Sequence, residues 1–134
     1  MGFDQYHEPA EELSARTRTF ARMCANLTEE AEAIGWYEQR ISLEADEDSR
    51  AIMNDSLGEE YKHFCMDLEF LLRATPLWRQ TARGILFQEG DIVANGEASE
   101  AAAGSGQSPE PPGSAQGSVP DSSLRIGSLR GGDL

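Results

Sequence analysis

Apolar residues recur along the first third of the chain in steps of three and four. The run Phe20, Met23, Leu27, Glu30, Ile34, Tyr37, Ile41 has the repeat of one helix face, with a glutamate where an apolar residue belongs. Leu13, Phe20, Leu27, Ile34 and Ile41 also keep a seven-residue spacing, as in a coiled-coil seam. Pro9 followed by Ala-Glu-Glu-Leu makes a good first turn. Proline's missing N–H has no intrahelical partner there, and acids suit the positive end of the dipole. The pattern predicts a first helix over about residues 9–43, roughly 50 Å long at about 1.5 Å per residue.

A second run, Met53, Leu57, Glu60, Phe64, Leu68, Leu71, repeats the same spacing and the same substitution of glutamate for an apolar residue. Between the runs, Glu44-Ala45-Asp46-Glu47-Asp48 reads as a short turn. Asp46 or Asp48 can cap a second helix reaching about Ala74. Thr75-Pro76 predicts a cap and first residue of a short third helix over about 76–88, ended by Gly90. From Ala94 the chain turns to Gly, Ser, Pro and Ala, with little to bury, and reads as a flexible tether through residue 122. Residues 123–134 then open on a small apolar cluster with Leu124, Ile126 and Leu129, which reads as a docking peptide at the end of the tether, the alternative being residual tail composition. The expected organisation is a helical domain over 1–93, a linker over 94–122 and a docking segment over 123–134.

Charge narrows the partners. The 24 acids and 11 bases leave a net charge of -13, which disfavours nucleic acid and anionic membranes and suits cations. No apolar stretch approaches the roughly 18 residues of a membrane span. The N-terminus has neither the basic-then-apolar order of a secretory signal nor a myristoylation pattern, since Tyr6 stands where Ser or Thr is needed. Cys24 and Cys65 lie on separate helices without CxxC spacing and read as free thiols.

The two seam glutamates carry the chemistry. A buried carboxylate is costly unless paired or bound to a cation. His63 follows Glu60 by three residues, so both project from neighbouring turns of one face. Tyr37, two turns along from Glu30, can donate a hydrogen bond to a ligand carboxylate. Two long helices and a short one leave a hairpin with an open seam. Pairing two hairpins across a two-fold axis closes a four-helix bundle and doubles the ligands to four carboxylates and two histidines, the donor set of a carboxylate-bridged di-iron centre. Trp36 falls about 180° from Leu27 at about 100° per residue. It marks either a second subunit contact or a surface covered by the third helix through Trp78 or Leu86. Two rival readings use the same residues: a metal-stabilised helical assembly module without turnover, and a regulatory coiled coil whose glutamates only set register.

The stretches His7-Glu8-Pro9, Glu29-Glu30-Ala31-Glu32-Ala33-Ile34-Gly35-Trp36-Tyr37-Glu38-Gln39-Arg40, Glu59-Glu60-Tyr61-Lys62-His63 and Leu86-Phe87-Gln88-Glu89-Gly90 resemble the encapsulated ferritins. Ile126-Gly127-Ser128-Leu129-Arg130 resembles the peptide by which cargo docks inside encapsulin shells. The resemblance implies an all-α, ferritin-like protein of two long antiparallel helices and a short C-terminal helix, with a disordered tail. It implies a ring-shaped decamer, a pentamer of dimers. Such proteins are ferroxidases, oxidising Fe(II) to Fe(III) with dioxygen at an iron centre shared by two chains, inside an encapsulin nanocompartment of the bacterial or archaeal cytoplasm. Carried over, the ligands are Glu30, Glu60 and His63, with Tyr37 beside them and Glu29 and Glu32 as a secondary metal-attracting pair. Asp55 and Lys62 stand where relatives hold a His and a Glu that form an outer cation site with the first acid of the second motif, here Glu59.

Overall fold

The computed structural model describes residues 6–106, and every regular element among them is an α-helix. The order is α1 (Ala15–Leu43), α2 (Glu47–Ala74), α3 (Pro76–Arg83) and α4 (Ile92–Gly104).

The first helix starts later than its repeat suggests. Pro9 opens a separate turn, with Glu12 N–H donating to Pro9 O at 3.0 Å. Ser14 then caps α1 by accepting from Thr17 N–H at 3.1 Å. Arg18 ties the two pieces together by donating to Ala10 O and Leu13 O. A local hydroxyl cap thus sets the start, and Leu13 falls in the turn.

The connection to α2 is tightly held. Asp46, one of the two caps foreseen for this helix, accepts from Ser49 N–H at 2.8 Å, and the other, Asp48, fills the acidic first turn with Glu47. Glu44 accepts from Asp46 N–H and the Ser49 hydroxyl, and Arg50 donates to Glu44 O. Cross-helix partners then run in opposite directions: Glu38 with Tyr61, Glu30 with His63, Asn26 with Asp67, Arg16 with Ala74. The pair is an antiparallel hairpin.

Its seam is only half closed. Ala25, Leu57, Leu71 and Leu72 are buried, whereas Ile52, Tyr61, Met66 and Phe70 remain exposed. No described helix is long and apolar enough to cross a membrane. Both cysteines are free, as expected, and burial pushes the Cys24 thiol up.

The C-terminal half departs from expectation in two places. The third helix ends at Arg83, not near 88; Gly84 caps it, and the chain turns through Phe87 (φ 61°) and Gly90 (φ 93°). Residues 94–104, expected to begin the tether, belong instead to α4. Asp91 caps α4 by accepting from Ala94 N–H at 2.8 Å. Its packing face is made of small residues: Ser99 is buried against Gly84 and donates to Thr81 O at 2.6 Å. Among the described residues α4 packs on α3 alone. The rest of the expected linker and the docking segment 123–134 lie outside the described residues.

A candidate metal centre in the hairpin seam

Glu30 comes from the middle of α1 and Glu60 and His63 from the middle of α2, where antiparallel packing sets the two faces opposite each other. Ligand atoms of all three lie within 4.8 Å of one another. His63 Nδ1 stands 3.6 Å from Glu60 Oε2 and 3.9 Å from Glu30 Oε2. The carboxylates are largely covered, with 20% and 18% of their side chains exposed, while His63 is 45% exposed. The group is therefore sealed on the hairpin side and open on the other.

Two acids this close cannot both ionise cheaply. The Glu30 carboxyl is pushed up to about 7, first by its hydrogen bond with Glu60, then by burial and by the Glu60 charge. His63 opposes this weakly and Asp67 adds to it. A divalent cation would replace the shared proton and remove the repulsion. Two carboxylate oxygens and one imidazole nitrogen suit iron, manganese or zinc, so the residues present fit a di-iron centre's half-set.

The flanks are also set by charge. Lys62 pairs with Glu59, which holds the Glu59 carboxyl below the usual range. Glu59 in turn lies 3.9 Å from His63 Nε2. The Lys62 ammonium thus lies on Glu59, the acid for which the resemblance implied an outer cation site.

The remaining expected site residues fall outside the three-ligand group. Glu29 and Glu32 are exposed on α1. Tyr37 is half-buried, with the Arg40 guanidinium 5.6 Å over its ring. Trp36 is 53% exposed. The third helix does not cover it: α3 follows Ala74, which meets Arg16, about 30 Å along α1 from Trp36 at about 1.5 Å per residue. Two functional candidates escaped the sequence reading. Asp67 is buried beside the group and accepts from the Asn26 amide at 3.1 and 3.0 Å. The signal was present: the heptad step from Glu60 lands on Asp67, and Asn26 stands one turn before Glu30.

A helical hairpin with Glu and Glu-x-x-His facing across its seam is a ferritin-like arrangement, and comparison with known proteins agrees. The EncFtn-like family model matches residues 5–89. An encapsulated ferritin-like protein of Rhodospirillum rubrum is 40% identical over 125 residues, covering 93% of this chain and 87% of that protein. A ferritin-like protein of Thermotoga maritima is 42% identical over 90 residues, covering 67% of this chain and 79% of that protein. A crystallised protein of Nitrosomonas europaea superposes with a TM-score of 0.65 at 36% identity, covering 66% of this chain and 98% of that one. The chain belongs to the EncFtn-like, or encapsulated ferritin, family.

Proposed function

We propose that this protein is a ferroxidase that oxidises Fe(II) to Fe(III) with dioxygen for iron storage inside an encapsulin compartment. The observation that carries the proposal is the convergence of Glu30, Glu60 and His63 on one point, with an open side facing out of the hairpin. The exposed Met66 and Phe70, three and seven residues after His63 and so on the same side of α2, support a second copy closing the bundle. Two copies would then bring four carboxylates and two histidines to a pair of iron ions.

In that arrangement the protein's residues have distinct tasks. Glu29 and Glu32, exposed on an acidic surface, attract the Fe(II) substrate. Glu30 and Glu60 surrender their shared proton and present oxygens. His63 presents Nδ1, with Nε2 turned towards Glu59. Carboxylates are hard ligands that favour Fe(III) over Fe(II), so they assist the loss of one electron per iron to dioxygen. Tyr37, two turns along α1 from Glu30, is in place to donate a hydrogen bond to a ligand carboxylate once two copies meet, and the exposed Trp36 serves a second contact between copies. Two contact surfaces used in alternation close into a ring, here a decamer built from five dimers. The segment 123–134 docks the ring to the shell, placing the protein in the bacterial or archaeal cytoplasm within that shell.

The test is direct. Anaerobic protein is mixed with Fe(II), oxygen is admitted, and ferric absorbance and oxygen uptake are followed. Glu60→Ala should abolish the protein-dependent rate. A variant as fast as the wild type would sink the proposal. Iron-dependent association of the wild type without oxygen uptake would favour an assembly module instead.

A further inference from the structure

The three-ligand centre leaves one acid of the seam unused. Asp67 is the one buried charged residue among the described residues, with 6% of its surface exposed. It follows His63 by four residues and Glu60 by seven, so it shares their face one turn further along α2. Opposite it, Asn26 precedes Glu30 by four residues and donates its amide to both Asp67 oxygens. The hairpin thus stacks two polar layers, Glu30–Glu60–His63 and then Asn26–Asp67.

A carboxylate offers about four acceptor positions, and one neutral amide repays little of the cost of burying the charge. For stability alone, a neutral or apolar pair would serve better at this position. A buried negative charge gains a use when positive charge is to arrive in the adjacent layer.

We propose that Asp67, held by Asn26, is a fixed counter-charge that strengthens cation binding by Glu30, Glu60 and His63 without itself being a ligand. It is a positioning residue acting through space, as the carboxylates behind metal ligands do. The inference rests on the metal-binding reading of the centre.

Asp67→Asn in the full chain keeps the shape and removes the charge. Two measurements decide the matter: urea denaturation of the metal-free protein, and calorimetric titration with Zn(II), which undergoes no redox change. The variant should be at least as stable as the wild type without metal. Its Zn(II) affinity should nevertheless fall about tenfold, the lower end for a supporting carboxylate. Asp67→Glu, which keeps the charge, should bind within roughly a fewfold of the wild type for the same reason. Unchanged affinity in Asp67→Asn, or a loss that Asp67→Glu does not restore, overturns the inference and leaves the centre standing. A wild type that binds no Zn(II) overturns both. Asp67→Ser supplies a second neutral variant should the asparagine variant fail to fold.

Discussion

The proton shared by Glu30 and Glu60 makes the metal-free protein sensitive to pH in a direction opposite to most carboxylates. The Glu30 carboxyl sits at about 7 in the fold, against 4.5 in the unfolded chain. Between those values the folded state holds a proton that the unfolded chain has released. The stabilising contribution is therefore full below about 4.5 and is lost as pH rises through about 7. At about 1.4 kcal/mol per pH unit the whole effect is about 3 kcal/mol, of which roughly 2 kcal/mol or more falls between pH 5 and pH 8. Glu30→Gln keeps the side chain's shape and removes the titration. The assay is urea denaturation of EDTA-treated protein at fixed concentration across that range, read by helical circular dichroism. The wild type should lose stability towards pH 8, and the variant should not. Glu44, Glu59 and Glu69 are held below their usual values by hydrogen bonds and neighbouring bases. Their contributions persist above 4.5 and fade only in more acid solution, so they leave the window undisturbed. Metal binding mirrors the effect: below pH 7 a cation must expel the proton, so affinity should climb up to about tenfold per pH unit and then level off. Parallel stability curves for wild type and Glu30→Gln would rule out the shared proton.

Further outcomes follow from the C-terminal half. Gly84→Ala would push a methyl group into Ser99, whose Cα would lie 3.3 Å away. Because the hydrogen bond to Thr81 O fixes Ser99, the cost should be about 1–3 kcal/mol. Proteolysis should then cut within α4 sooner while oxidation of iron is unchanged. Truncation after residue 122 should leave iron oxidation intact and abolish co-purification with an encapsulin shell upon co-expression.

The hairpin, and the three side chains that it brings together across its seam, are legible in the linear order of amino acids. Glu30, Glu60 and His63 stand out because a helix repeats every 3.6 residues, so an acid on an apolar stripe announces burial from its position alone. The cap at Asp46 and the proline that opens α3 are local chemistry and read equally well, although Thr75, at the N-cap of α3, makes no side-chain capping bond. Position 94 onward misled for the opposite reason: α4 buries only small residues, whose contribution is close approach to Gly84 and not apolar area, and composition does not reveal which glycine will face it. The start of α1 was set by a serine cap that outweighed a continuing heptad pattern. Pairing Asn26 with Asp67 took the packed fold, because the register of two antiparallel helices depends on the turn that joins them and on the packing of both faces together. The fold likewise leaves Trp36 uncovered, since α3 packs at the far end of the hairpin. Periodicity dictates which side of a helix a residue occupies. The distance between two helices, and hence which charges meet, is a property of the packed pair.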